Sequence, residues 1–289
     1  MFSIIVPTFN SEKTLYQTLS SILAQSYGEF EVIVVDNHSS DNTKLIVESF
    51  LDSRISFYLV KNQGMPAISR NHGVSLAKFD FVAFCDSDDL WDSNKLETCL
   101  AHIDKDVDFI SHNLKLSGSL LKKITNNIFP RPPTKNFLDF IEFGNKIIQS
   151  SVVVRRQLLI EAECYKDDSR FIAVEDAFLW AKLFKSGVRL CYINKKLGTY
   201  CYSSLALSSS VNQFKALRYL RLEYFSDYKP CWYKYNIGVY LLSRKKYRRS
   251  AVYLKSVLFA HKCPVELRLK SCLLLVKLYI ANYWKPFAA

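Results

Sequence analysis

No stretch of this 289-residue chain approaches the roughly 20 consecutive apolar residues that span a bilayer. The nearest, Cys272 to Trp284, is short and interrupted by Lys277. No basic segment or small-residue cleavage pattern precedes the first apolar run, Ser3-Ile-Ile-Val-Pro7, so the sequence predicts no secretory signal. The eight cysteines contain no CxxC pair and sit in apolar or helical contexts such as Phe84-Cys85 and Cys272-Leu273. That usage points to reduced thiols rather than a disulfide framework or a zinc site. No recognised nucleic-acid-binding module is present either.

What is present is a folded chain: 49% of residues are hydrophobic and 14% aromatic, and the length suffices for a full core. Charge is unevenly spread. From Val211 to Ala289 there are 16 Lys plus Arg against 3 acidic residues, a balance of +13, whereas the first 210 residues carry 23 basic and 24 acidic groups. The first region is electrically ordinary and the second is suited to something negative.

The most informative run is Phe81-Val-Ala-Phe-Cys-Asp-Ser-Asp-Asp-Leu-Trp91, an apolar strand ending in three carboxylates, Asp86, Asp88 and Asp89. Carboxylates so close repel unless a cation or hydrogen-bond donors hold them. A hard divalent ion with oxygen ligands is one answer; an acidic loop capping a helix near Ser93 is the other.

Upstream, strands and helices alternate: strand Phe2–Thr8, helix Ser11–Ser26 with Ser11 as cap, strand Phe30–Val35, helix Thr43–Leu51, strand Ile55–Val60, helix Pro66–Leu76, strand Phe79–Cys85. Apolar strands joined by helices predict a parallel sheet covered on both faces, with ligands at the strands' carboxyl ends. Those ends carry Thr8-Phe9-Asn10, Asp36-Asn37-His38-Ser39 and Asp86-Ser87-Asp88-Asp89. Residues 111–147 are less legible: Pro130, Pro132 and Pro133 mark a loop and Asn136–Phe143 a helix. Ser151–Val154 reads as a strand and Ala173–Lys185 as a helix opened by Glu175-Asp176, where carboxylates also suit the helix dipole. Ser203–Ser210 reads as a mobile serine-rich loop. From Gln213 the pattern is helical, and Asn236–Ser256, with Gly238 and Tyr247, has the spacing of a single tetratricopeptide helix pair.

With these residues in view, positions 1–210 resemble family 2 glycosyltransferases of the GT-A fold. The ordered matches are Ile5-Val6-Pro7-Thr8-Phe9-Asn10, Val35-Asp36-Asn37-His38-Ser39-Ser40-Asp41, Arg70-Asn71-His72-Gly73, Asp86-Ser87-Asp88-Asp89, Gln149-Ser150-Ser151-Val152 and Glu175-Asp176-Ala177-Phe178-Leu179-Trp180. They are dense over 1–100, moderate over 145–200 and absent after Val211.

The resemblance implies an α/β fold: a Rossmann-like, mostly parallel mixed sheet flanked by helices over 1–210, with a basic amphipathic helical extension over 211–289. It also implies roles. Pro7, Thr8, Phe9, Asp36 and Asn37 would hold the nucleotide, with Arg70 supporting phosphate or base contacts. Asp86-Ser87-Asp88 falls on the DxD motif, so Asp86 and Asp88 would bind Mn²⁺ or Mg²⁺ on the diphosphate. Asp176 would be the base of an inverting displacement, with Trp91, Gln149, Ser150 and Glu175 on the acceptor side. Two positions depart from the pattern: Asn37 stands where a second Asp is common, and Tyr200 is followed by Cys201 rather than Arg, with no His in the loop beyond.

The function so implied is transfer of a hexose or N-acetylhexosamine, by default UDP-linked, to an undecaprenyl-diphosphate-linked saccharide in O-antigen or surface-polysaccharide assembly. The expected setting is cytoplasmic, peripheral at the inner face of the membrane, with 211–289 on anionic lipid through Arg244–Arg249, Trp232, Tyr233, Trp284 and Phe287. Two rivals are a helical extension that only packs on the catalytic part and an inactive sugar-nucleotide-binding scaffold. Nucleic acid is disfavoured because the carboxylate clusters would repel a polyanion.

Overall fold

A computed structural model of the chain describes residues 1–103, 107–117, 136–201, 210–224, 228–261 and 263–283, with backbone only at 210–216 and 281–283. Pro130, Pro132, Pro133, positions 203–209, Trp284 and Phe287 lie outside the described residues, whereas Ser210 already opens a helix.

The described elements run β1 (Phe2–Thr8), α1 (Leu15–Leu23), β2 (Phe30–Asp36), α2 (Thr43–Ser49), β3 (Ile55–Leu59), α3 (Pro66–Leu76), β4 (Phe81–Phe84), β5 (Leu90–Trp91) and α4 (Lys95–Leu100). Then come β6 (Phe109–Ser117), α5 (Phe137–Phe143), β7 (Val153–Arg155), α6 (Arg156–Glu161), α7 (Glu175–Lys185) and β8 (Leu190–Cys201). Four helices follow: α8 (Ser210–Tyr224), α9 (Cys231–Ser243), α10 (Tyr247–Leu258) and α11 (Val265–Tyr283).

The strands form one sheet in the order β3-β2-β1-β4-β7-β6-β8-β5. The first four are parallel; β7 is antiparallel to both β4 and β6, and β6 pairs parallel with β8. The fold is therefore the mixed, mostly parallel α/β sheet expected. Every residue of β1 and β4 is buried, as central strands covered on both faces require. Alternate residues serve opposite cores: Ile4, Val6, Val32 and Val34 face the layer containing Leu15, Leu19 and Ile22 of α1. Ile5, Ile33, Val35, Val82 and Phe84 face the layer containing α3, α7 and the C-terminal helices.

Two residues that look unfavourable fit for local reasons. Pro7 lies beyond the last β1–β4 pair, Ile5 with Phe84, so its missing N–H is not needed there. Gly73 lets α3 lie flat on β1, because a Cβ there would come within 2.5 Å of the Ile5 side chain.

Several boundaries differ from expectation. Helix α1 is shorter than Ser11–Ser26, and Ser11 is not its cap: the Ser11 hydroxyl pairs with Ser87 Oγ at 2.9 Å. Ser151 ends a 3₁₀ turn, Gln149–Ser151, before β7. Strands β6 and β8 were hidden by polar residues such as Asn113, Lys195 and Lys196. The basic region is, as expected, helical, and it packs on α7: Leu217, Leu220, Trp232, Tyr233, Ile237 and Val257 share the core with Phe178 and Phe184. Within it, α9 and α10 form the anticipated hairpin, with Ser250 Oγ donating to the Gly238 carbonyl at 2.7 Å.

Candidate functional site

At the carboxyl ends of β1 and β2 the chain turns sharply, and Asn10 and His38 adopt left-handed φ of 48° and 55°. The turns are laced together: Asn10 Oδ1 accepts from Ser40 N at 2.9 Å, and Asn10 N donates to Ser39 Oγ at 2.8 Å. Asp36 is buried and accepts from the backbone and hydroxyl of Ser39. Pro7 and Thr8 are buried while Phe9 is exposed, and Thr8 Oγ1 has no hydrogen-bond partner among the described residues. Asn37 Oδ1, expected to meet a base, accepts from Asn62 N at 2.8 Å. Only its second lone pair stays available to a ligand.

The three carboxylates after β4 divide their labour. Asp89 turns inward, where its two oxygens accept from Ser150 Oγ and, at 2.9 Å, from Cys201 N. Burial, with the charge of Asp86, pushes its carboxyl up to about 8. Asp86 and Asp88 stay partly exposed. Burial, then the charge of Asp86, raises Asp88 to about 6. The capping alternative does not hold, since α4 begins at Lys95 after Asn94 and none of the three carboxylates reaches its first turn.

Ser150 ties the floor beneath this loop. Its hydroxyl accepts from Asp86 N at 3.0 Å, and its carbonyl takes Trp91 Nε1 at 3.1 Å and Lys95 Nζ at 3.0 Å. Lys95 is wholly buried, 3.2 Å from the centroid of the Trp91 ring, and burial lowers its ammonium to about 7. Trp91, Gln149 and Ser150, expected on the acceptor side, are all buried; Gln149 Nε2 donates to Tyr165 Oη at 2.6 Å.

Arg70 is not a surface residue, and two carboxylates already engage it. It is 6% exposed, and its terminal nitrogens donate to Asp86 Oδ1 and Glu175 Oε1, each at 2.9 Å. Its guanidinium lies 5.7 Å from the Tyr165 ring centroid, and the two carboxylates hold it firmly protonated. Neighbouring Asn71 clamps the Tyr165 backbone on both sides, donating to its carbonyl at 2.8 Å and accepting from its N–H at 2.9 Å. Helix α3 thereby connects the carboxylate loop to the segment leading into α7.

Asp176 opens α7 just after Ala173, whose φ of 71° is uncommon for alanine. Asn145 Nδ2 donates to its Oδ2 at 2.9 Å and Ala177 N to its Oδ1 at 2.7 Å. The group keeps part of its surface open yet lies deep in protein. Burial, then the charge of Glu175, raises it to about 7. A carboxylate so tuned can accept a proton near neutrality.

Asn145, Tyr165 and Lys95 escaped the sequence reading. The first two act through partners more than 30 residues or one element away, and an isolated lysine at a helix start carries no local sign of burial.

Among the described residues no group of three or more His, Cys, Asp or Glu side chains is arranged to hold an ion alone. Asp86, paired with Arg70 through one oxygen only, and Asp88 instead supply two partly open carboxylates. That donor set fits a divalent ion whose remaining ligands arrive with an anionic substrate.

A mixed sheet with polar turns at the ends of β1, β2 and β4, and a buried carboxylate opening α7, defines a GT-A fold. Solved structures agree. Staphylococcus aureus TarS 1–349 in complex with UDP-GlcNAc superposes with a TM-score of 0.64 at 22% identity, covering 89% of this chain and 80% of that one. The mannosyltransferase PcManGT from Pyrobaculum calidifontis, in complex with GDP-Man and Mn²⁺, gives 0.62 at 18% identity, covering 99% and 81%. The family model for glycosyl transferase family 2 matches residues 3–160. The Escherichia coli UDP-Glc:alpha-D-GlcNAc-diphosphoundecaprenol beta-1,3-glucosyltransferase WfgD is 32% identical over 225 residues, 75% of this chain and 83% of that protein. The chain belongs to glycosyltransferase family 2.

Proposed function

We propose that this protein is an inverting, metal-assisted hexosyltransferase that moves a sugar from a UDP-linked donor to a hydroxyl of an undecaprenyl-diphosphate-linked saccharide, forming a β linkage. The observation that carries the reading is the Arg70 bridge, which joins Asp86 of the carboxylate loop to Glu175, next to Asp176. Donor-side and acceptor-side carboxylates are thereby mechanically linked. The donor and acceptor classes come from the glucosyltransferase relative; the residue roles come from position and environment.

In this reading Pro7, Thr8 and Asp36 seat the nucleotide. Asp86 and Asp88 would hold Mn²⁺ or Mg²⁺, which would supply positive charge to the departing diphosphate. Asp176 accepts the acceptor's hydroxyl proton as its oxygen bonds to the anomeric carbon. The bond from that carbon to the diphosphate oxygen breaks on the opposite side, inverting the centre and releasing nucleoside diphosphate. Arg70 and Asn145 orient the carboxylates. Residues 1–210 form the transferase unit and 211–289 a helical extension. With its acceptor embedded in lipid, the enzyme works peripherally at the cytoplasmic membrane face.

The test is nucleoside diphosphate release from a panel of sugar nucleotides, with a diphosphate-linked GlcNAc or GalNAc acceptor and Mn²⁺ or chelator. Turnover with one donor, lost with chelator and in Asp176→Asn, supports the proposal. Silence from folded protein across the panel would overturn it.

A further inference from the structure

Of the aromatic residues that the sequence offers as membrane anchors, Trp284 and Phe287 lie outside the described residues, and the other two are not free. Trp232 and Tyr233 are buried, and Trp232 Nε1 donates to the Ile141 carbonyl at 2.8 Å. Another surface takes their place. Helix α11 is apolar on two opposite faces. One, through Leu267 and Leu278, is buried on the protein. The other carries Val265, Leu269, Leu273, Val276, Tyr279 and Ile280, each between 45% and 68% exposed. At about 100° and 1.5 Å per residue these six fall within one stripe roughly 120° wide and about 22 Å long. A helix of a water-facing protein ordinarily keeps that side polar, and a continuous exposed apolar strip of this size marks an interaction surface.

Charge decides the occupant. On the helical wheel Arg268 borders one edge of the strip and Lys270 and Lys277 the other, and the helix's single acid, Glu266, is already paired with Lys270. Arg244, Lys245, Lys246, Arg248 and Arg249, at the turn between α9 and α10, are all exposed. Residues 211–289 hold 16 basic against 3 acidic groups. An apolar strip between cationic edges, on a strongly basic array, is complementary to a bilayer surface with anionic headgroups. No helix among the described residues is long and apolar enough to cross a membrane, so the mode is lying on the surface.

We propose that the Val265–Ile280 face of α11 docks the protein onto an anionic lipid surface. This rests on the reading that the acceptor is lipid-linked, and it names the element that brings the enzyme to it.

The test uses the full chain with vesicles of mixed phosphatidylglycerol and phosphatidylcholine, against phosphatidylcholine alone. The variant is Leu273→Glu with Val276→Glu; both residues are exposed, so the fold should persist, as an unchanged melting temperature would verify. Wild type should float with the mixed vesicles, weaken at high salt and bind poorly to neutral ones. The variant should lose roughly tenfold or more in partitioning. Turnover on a short-chain, water-soluble acceptor should be the same for both proteins, while turnover on long-chain acceptor in vesicles should fall in the variant. Equal flotation of the two proteins would overturn the inference, as would absence of wild-type flotation. A wild-type dimer dispersed by the substitutions would overturn it too, assigning the face to a second copy. Failure of the proposed activity would appear separately, as no turnover on the short-chain acceptor.

Discussion

Asp86 and Glu175, 89 positions apart, share one guanidinium: Arg70 donates at 2.9 Å to each. Neither carboxylate can move without the other feeling it. Removing the bridge leaves buried charge uncompensated. Arg70→Met should cost about 3–5 kcal/mol of stability, read by chemical denaturation. Arg70→Lys keeps the charge but cannot span both oxygens as a planar fork does. It should retain more stability than Arg70→Met yet lose activity by roughly 100-fold.

Asp176→Asn should lower kcat by about 10²–10⁴ while leaving nucleotide affinity nearly unchanged. The native enzyme's kcat/KM should rise with pH through about 7, where burial and Glu175 hold the Asp176 proton. The sign for stability is opposite. Between the ordinary carboxylate range and about 7 the folded chain binds that proton and the unfolded chain does not, so this group's contribution falls as pH rises. A pH-rate profile with its acidic limb unmoved from wild type in an Asp176→Glu variant would count against the assignment.

Asp88→Asn should weaken UDP binding in Mn²⁺ and abolish the difference made by chelator, as titration calorimetry would report. Because Asp88 is partly exposed and its ionised form is disfavoured by burial and by the charge of Asp86, the substitution should not destabilise the fold. A large drop in melting temperature would argue that the loop is structural throughout.

Asp89→Ala should behave in the opposite way. It strips the acceptors from Ser150 Oγ and Cys201 N in a buried setting, a loss of about 1–3 kcal/mol for each donor left unsatisfied. Measured side by side, adjacent aspartates would then separate into one that binds and one that braces.

The sequence made the donor half legible because its signals are local. Apolar strands, short connections and polar strand ends all lie within residues 2–89, and β1, β2 and β3 each pair with the next or preceding strand in the chain, with β4 returning to β1. The far half was harder for a physical reason. Strand β6 comes later in the chain than β4 but meets it only through β7, and the buried residues of β8, Ile193, Leu197 and Gly198, are interrupted by the exposed run Asn194-Lys195-Lys196. Arg70 stood out as a motif residue, yet its partners at 86 and 175 come from tertiary packing. Asp89 shares its acidic run with the metal candidates Asp86 and Asp88, and what sets it apart is the contact with Cys201, 112 residues on.

The antiparallel seam between β4 and β7 sets an order of assembly. β1 to β4 pair among themselves and are complete by Phe84, but their outer edge stays open until Val153–Arg155 is available to close it. During synthesis the nucleotide-side sheet can therefore form early, with the β4 edge exposed for about 70 further residues, several seconds at ordinary elongation rates. A bare edge recruits other strands. Chains arrested before β7 should show protected β1–β4 amides and a tendency to self-associate that vanishes once Arg155 has emerged.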